Sequence, residues 1–569
     1  MVVVISLLNG RKERSKEPSM RGNTSRGALP LVLLLTMYSG GAAVAQQLPK
    51  AVRKPAASIQ AKVFEAHVRY LADDKLQGRQ PGTPGYRLAA DYVAAQLKKY
   101  GAEPAGDNGT YLQTVRLRRA FTEPGAALSW QPATGPAQPL TYATDFTCYP
   151  NPGAASTQVA APVVFAGLGI SAPELGYDDY AGLDARGKIV VVARGIEPRQ
   201  FPDAVRLYNT DLLTVLRTAM RHGAVGVMLA STKPTAKPAE AVRGVVSVLD
   251  AQGGVAVSRS YAGPQLQVVA SGSAALLQRL FAGATTDTAR ALGALRAGRP
   301  ASLALAGTLA GSQRSRYQDV ESYNVVGKIR GSDPVLRDEY VVHTAHLDHL
   351  GIGPAVQGDS IYNGAHDNAT GVASVLEIAG AYHRLRTPPR RSVLLALVTG
   401  EELGLLGSAY LAQHPPVPPR QLVANINTDM PTIIAPLLSI VPLGAENSSL
   451  AAPVAEAARL LNLTVEPDPE PAQNRFIRSD QYSFVAQGVP AVHIKYGNRT
   501  ADGQNNLSQL VQAWRARTYH KPQDDLSGQF DWQAGRLYTQ LNFLLGYLVA
   551  NDSQRPTWNE GNFFGRKEL

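Results

Sequence analysis

The chain has 569 residues, 44% hydrophobic and 18% charged, a composition that excludes a disordered segment and suits two to four globular domains. Its formal charge is +11, of which residues 1–45 supply +4 through six Lys/Arg against two Glu. No Lys/Arg-rich stretch interleaved with aromatics follows, which argues against a nucleic-acid partner, and the single cysteine, Cys148, excludes an intrachain disulfide and a cysteine-based zinc site.

In chain order, the first pattern is an export signal. From Met20, "MRGNTSRG" gives a basic start and "ALPLVLLLTMY" an apolar segment of 11 residues. "GGAAVAQQ" then offers an Ala-x-Ala cleavage site ending at Ala45. The segment is too short to span a bilayer as a helix. Residues 1–45 are therefore expected to be a cleaved signal peptide whose true start is Met1 or Met20. The mature chain would be exported, periplasmic or extracellular, and would lack a membrane span. Residues 46–57 read as a basic, Pro-containing linker.

Two helical patterns follow. The first is "ASIQAKVFEAHVRYLAD"; the second carries Ala89, Val93, Leu97 and Tyr100 at helical spacing and is closed by Gly101. From 128 to 310 the texture changes to short β-like runs rich in Ala and Gly, among them "GKIVVVARG" as a strand and "LLTVLRTAMRHGAVGVMLAS" as helix, turn and strand. Beyond Ser322 the pattern alternates: "DEYVVHTAH" strand, "GVASVLEIAGAYHRL" helix, "SVLLALVT" strand, then strands "LVANINTDM" and "PAVHIKYG" and the closing helix "DWQAGRLYTQLNFLLGYLVAN". Such alternation predicts an α/β fold, a mixed, largely parallel twisted sheet covered by helices.

In open α/β sheets ligands bind at the carboxyl ends of strands, and the ionisable residues there form a set. His346-x-Asp348 ends one strand, Asp367 precedes a helix, and Glu401 and Glu402 follow "SVLLALVT". Asp429 ends "NINTD", and Tyr519 and His520 lie in the polar loop "RTYHKPQDD". His, Asp and Glu in this pattern suit zinc or its near relatives. His346, Asp367, Glu402, Asp429 and His520 make five ligands; if one carboxylate bridges, each of two metals receives three protein ligands and keeps a position for water. Glu401, beside Glu402 but pointing away from it, suits a general base.

At this point the residues resemble a family. The pieces "AHLDHLG", "GAHDNATG", "GEELGLLGS", "NTDM", "RSDQYSFVAQGVPAV" and "YHKPQDD", in that order, are similar to those of the M28 zinc aminopeptidases. The likeness extends over roughly residues 57–552. "FAGLGISAPELGYDDYAGLDARGKIVVVARG" looks like the opening of the protease-associated (PA) domain found inserted in a subgroup of that family. The resemblance implies a zinc exopeptidase fold in two segments, 58–127 and 311–552, a β-rich PA domain over 128–310, and a C-terminal tail over 553–569. It implies two Zn2+ per chain, with Co2+ or Mn2+ as substitutes. Asp367 would bridge; His346 and Asp429 would complete one site, Glu402 and His520 the other. Glu401 would be the general base, Asp348 would orient His346, Asp524 would brace the His520 loop, and Tyr519 would polarise the substrate carbonyl.

The sequence departs from the family where His366 stands for a frequent Asp and Gln481 for a frequent His. His366 is expected to be hydrogen-bonded and not a ligand. His343 and His349, three residues either side of His346, are expected on the other strand face as structural residues, and His493 in the core or pocket wall. The implied activity is removal of N-terminal residues from peptides with a free amine. A carboxypeptidase or dipeptidase on the same scaffold is the alternative, and a non-catalytic receptor-like protein a distant third. The oligomeric state is left open.

Overall fold

The computed structural model describes residues 48–233 and 244–565. The expected signal peptide, residues 1–45, lies outside the described residues. Residues 50–57, read above as linker, instead form a short helix, Lys50–Ala57, whose Val52, Pro55 and Ala56 are buried. Apolar side chains at helical spacing outweigh the helix-breaking tendency of Pro55 there, because the segment has a core to cover.

The sequence between the first helices and the end of the chain builds one central sheet. Its helices are α1 (Ala61–Leu71), α2 (Pro84–Lys99), α3 (Thr370–His383) and α4 (Trp532–Asn551). Its strands are β1 (Ser302–Ile329), β2 (Tyr340–His346), β3 (Ser392–Val398), β4 (Leu422–Asn427) and β5 (Ala491–Tyr496). Strands β5, β4, β2 and β3 pair in parallel, in that spatial order. The end of β1 closes one side antiparallel to β3, and Ser439–Leu443 closes the other antiparallel to β5. The fold is α/β, a mixed sheet whose centre is parallel.

The residue pattern explains the layers. Every residue of β3 is buried, as a parallel strand covered on both faces requires. Along β3, Val393, Leu395 and Leu397 enter the core beneath the four helices, while Leu394, Ala396 and Val398 enter a second cluster. That second cluster is covered by the short helices Leu406–Gln413 and Gln481–Val485, through Leu411, Ala412 and Phe484. Helix α3 is buried from Thr370 to Tyr382, the signature of a helix apolar on all sides. It is sandwiched between the sheet and α1 and α4.

Strand β1 is 28 residues long and serves two sheets. Its last residues join the central sheet, Ser315–Val325 pair with Leu112–Thr122, and Ser302–Arg314 pair with Ser156–Ala166. This second sheet continues in parallel through Ile189–Arg194, Gly226–Ser231 and Val268–Gly272. Two hydrophobic clusters drawn from residues 128–309 cover its faces, one around Trp130, Phe146 and Phe165, the other around Val190, Val215 and Leu229. No helix of the described residues is long and apolar enough to cross a membrane.

His343 is fully buried, with its Nε2 3.2 Å from the Tyr382 hydroxyl, and burial pushes its pKa down to about 3. The other wall of this niche is Gly546 of α4, where a Cβ would come within 2.3 Å of His343 Nε2 and 2.5 Å of the Tyr382 hydroxyl. Overpacking of this kind costs roughly 1–3 kcal/mol. Gly546→Ala is expected to lower the unfolding free energy by that amount, and the urea midpoint with it, despite alanine's better helix propensity; an unchanged or higher midpoint would contradict the close approach of α4 to α3.

Candidate metal centre

All the expected ligands meet at the carboxyl end of the parallel strands. His346 is the last residue of β2, and its Nε2 lies 3.2 Å from Asp367 Oδ1 and 3.4 Å from Asp429 Oδ1. Asp367 belongs to the tight turn that opens α3. That turn needs glycine at 364, where φ is +61° and a Cβ would strike the Asp367 carbonyl at 2.1 Å and the His349 ring at 2.6 Å. On the far side of Asp367, His520 Nε2 stands 3.4 Å from Oδ2 and 3.2 Å from Glu402 Oε2. The ligand atoms of His346, Asp367 and Asp429 lie within 4.8 Å of one another, and so do those of His349, Asp367 and Glu402. Asp367 is common to both sets.

His349 therefore corrects the sequence-based expectation. The strand ends at His346, so alternation between faces no longer governs a residue three places on. Its Nδ1 sits 2.7 Å from Glu402 Oε1 and its ring meets that of His520 edge to face at 5.8 Å. His343, within the strand, points to the helical layer as alternation requires.

Backbone amides hold the acidic turns in place. The Asp348 carboxylate accepts the amides of Glu401 and Glu402 at 3.2 and 3.4 Å, while its backbone carbonyl, 3.1 Å from Nδ1, is what orients the His346 ring. Its carboxylate is 4.0 Å from that nitrogen. Asp524 accepts the amides of His366 and Asp367 at 2.9 and 3.0 Å, so it ties the loop that carries His520 to the Asp367 turn. His366 is packed flat on Phe530 at 4.3 Å, with Nε2 3.2 Å from the Gln529 carbonyl. Gln481 is buried; it accepts from Asn427 at 2.8 Å and donates to the Phe476 carbonyl at 2.5 Å. Tyr519 stacks on His520 at 3.8 Å and lies under the Arg515 guanidinium at 3.7 Å.

Arg79, Ser479, Lys495 and Asp480 carry no signal in sequence spacing. Arg79, 1% exposed, donates to the carbonyls of Leu347, Asn363 and Gly364 at 2.9, 2.6 and 3.0 Å, tying the His346 and Asp367 turns together. Burial lowers its pKa to about 10 while Asp348 and Asp367 oppose the shift. Ser479 donates to Asp429 Oδ2 at 2.7 Å. The Lys495 ammonium reaches the carbonyls of Asp429 and Met430 at 2.6 and 3.2 Å, and His493 Nε2 lies 3.0 Å from the Asp429 carbonyl. Asp480 is fully buried beside them.

The electrostatics are those of a site that demands positive charge. Burial disfavours the His346 imidazolium, yet Asp367 and Asp429 hold its pKa well above the usual value. His520 is likewise raised, to about 10, by Asp367 and Glu402 against the effect of burial. Glu401 is raised far above the carboxylate range by burial, with Asp429, Glu402 and Asp480 adding to it and His346 opposing. Burial thus favours the protonated form of Glu401, while the imidazoles favour the charged forms of Asp367 and Asp429.

Comparison with known proteins agrees with this geometry. Residues 324–543 match the model of peptidase family M28. That segment is similar to family M28. It contains His346, Asp367, Glu401, Glu402, Asp429 and His520. Curated relatives of the M28 segment include a probable zinc metalloprotease of Leptosphaeria maculans, 39% identical over 89 residues, or 16% of this chain and 20% of the relative. A probable zinc metalloprotease of Pyrenophora tritici-repentis is 27% identical over 219 residues, 36% of this chain and 43% of the relative. The chain thus spans less than half the length of these relatives. An aminopeptidase structure from Aneurinibacillus sp. strain AM-1 aligns with 18% identity over 89% of this chain and 96% of that one, at a TM-score of 0.46.

Asp524→Ala would leave the buried amides of His366 and Asp367 without an acceptor. Such a loss costs about 1–3 kcal/mol per group, and the variant is expected to unfold at correspondingly lower denaturant concentration. Asp524→Asn, which keeps one acceptor oxygen, should recover part of the difference. Equal midpoints for all three proteins would remove Asp524 from the support of the Asp367 turn.

Proposed function

We propose that this chain is an exported dizinc aminopeptidase that hydrolyses the first peptide bond of substrates with a free N-terminus. The observation that carries the reading is the sharing of Asp367 between two imidazole–carboxylate sets. Imidazole and carboxylate donors suit zinc, with cobalt or manganese as substitutes. In this reading His346 and Asp429 would hold one ion and Glu402 and His520 the other, with Asp367 placed between the two sets. His349 orients Glu402 through its 2.7 Å contact.

When bound, the ions supply Lewis acidity, activating water and polarising the scissile carbonyl. Glu401 takes the proton of the attacking water on its carboxylate and returns it to the leaving amine. Its raised proton affinity favours the protonated state from which that second transfer starts. Tyr519, at the cavity wall beside His520, donates a hydrogen bond to the substrate carbonyl. The acids of the cavity receive the α-ammonium group. The export reading rests on the pattern from Met20 to Ala45.

Residues 128–310 form, in this proposal, the inserted PA domain that walls one side of the cleft. Its separate hydrophobic clusters support this, as does the reach of Arg259, paired with Asp211 at 2.8 Å, to Gly404 behind Glu401 and Glu402. A carboxypeptidase or dipeptidase on the same scaffold has one observation in its favour, the arginines lining the cavity. A receptor-like role without catalysis finds no support in a complete donor set.

Two glutamates side by side give the decisive experiment. Glu401→Gln keeps size and hydrogen bonding and should retain about two zinc ions per chain, while turnover of an aminoacyl amide falls roughly 10²–10⁴-fold. Glu402→Gln should lose metal and activity together. Zinc content by elemental analysis, measured beside turnover, checks both; metal loss from Glu401→Gln with retention by Glu402→Gln would reverse the assignment. For the wild-type protein, acetylating the substrate amine is expected to abolish cleavage, and equal rates on free and acetylated peptides would exclude an aminopeptidase.

A further inference from the structure

A cavity of about 220 Å³ opens directly beside Glu401 and Asp429. Its wall is also basic in part: Arg475, Arg478, Lys495 and Arg515 line it together with Asp367 and Glu470. Two of these charges have internal partners. Arg475 pairs with Glu470 at 2.6 Å and Asp468 at 3.3 Å, and Lys495 is held by the carbonyls of Asp429 and Met430. The other two do not. Among the described residues, neither Arg478 nor Arg515 has a carboxylate within ion-pairing distance. Arg515 is only half-buried, its guanidinium over the Tyr519 ring at 3.7 Å and its Nη1 3.6 Å from Met430 Sδ. Arg478 is exposed on the stretch that also carries Ser479.

Exposed arginines near a helix end usually serve only to offset the helix dipole, and Arg515 lies in the last turn of the helix Leu507–Thr518. Two features argue for more. Arg515 is directed inward, onto the residue that neighbours His520, and Arg478 converges on the same space from a different element. A guanidinium fork matches a carboxylate in two parallel hydrogen bonds, and two forks without a carboxylate partner in the lining of one cavity leave that pairing to a bound molecule.

Resting on the peptidase reading above, we propose that the substrate carries a carboxylate close to the scissile bond, received by Arg478 and Arg515 on this wall. That carboxylate has two sources. It is the side chain of an acidic N-terminal residue, or the free C-terminus of a very short peptide.

The test uses the full chain loaded with zinc. Glutamyl and leucyl p-nitroanilides differ only in the side chain, while Leu-Leu and Leu-Leu-amide differ only in the terminal carboxylate. One of the two carboxylate-bearing partners is expected to exceed its neutral counterpart in kcat/KM by about 10–100-fold, the range of a charged hydrogen-bonded contact, with the difference mostly in KM. Which pair shows it names the source. Raising NaCl from 0.05 to 0.5 M should shrink the ratio, and Arg478→Gln and Arg515→Gln should each bring it toward one. Ratios within twofold of one for both pairs, or ratios unmoved by either substitution, overturn the proposal while leaving the peptidase reading intact. If no substrate is cleaved, that reading fails, and calorimetric titration with free glutamate, leucine, Leu-Leu and Leu-Leu-amide decides the anion site alone. Preference for a carboxylate-bearing ligand that both substitutions weaken sustains it; equal binding of charged and neutral ligands refutes it.

Discussion

The crowding of acids at one end of the sheet is the constraint around which this molecule is built. Asp348, Asp367, Asp480 and Asp524 are buried and Asp429 is partly so, and the fold gathers them with Glu401 and Glu402 into one crowd. Charges taken out of water are costly unless paired, hydrogen-bonded or bound to a cation. The chain answers in three ways. Amides of the Glu401–Glu402 and His366–Asp367 turns are aimed at Asp348 and Asp524. The imidazoles of His346, His349 and His520 sit against the carboxylates that remain. Arg79 and Lys495 supply fixed positive charge from behind, through contacts to backbone carbonyls and not through ion pairs. What none of these neutralises is the space between Asp367 and its neighbours, where the proposed metal ions would lie.

The central sheet was legible in the sequence because its strands are apolar runs too short for helices and its helix α3 has no polar face. The same clarity extended to the residues at the strand ends, since the fold rule that ligands gather there needs only the strand boundaries. Where the reading failed, the signal was weak for a physical reason. The alternation rule misjudged His349 because it was applied past the end of β2. Asp348 was expected to act through the His346 ring, but its carboxylate finds the backbone amides of Glu401 and Glu402 nearer. Arg79 left no trace, since a guanidinium bonding to carbonyls of distant segments has no spacing to detect. The helix Lys50–Ala57 was hidden by its Pro and basic residues, which together suggest a linker until the core beneath Val52 and Ala56 is known.

Strand β1 was equally hidden. The stretch "SQRSRYQDVESY" is polar on both faces and offers no apolar period, so the expected boundary at residue 310 cut through what the structure shows as continuous backbone from Ser302 to Ile329. Its order comes from neighbours on both edges, Leu112–Thr122 and Ser156–Ala166, and from ion pairs such as Arg118 with Asp319 at 2.8 Å.

That continuity has a mechanical consequence. Two bodies joined by loops can swing about them, but an extended ribbon stiffened by a partner along most of its length resists bending and passes torque from one end to the other. If residues 128–310 wall the cleft as proposed, that wall is cantilevered from the same beam that edges the central sheet. Rotation of the whole wall would strain the ladder that holds Val325–Ile329 against β3.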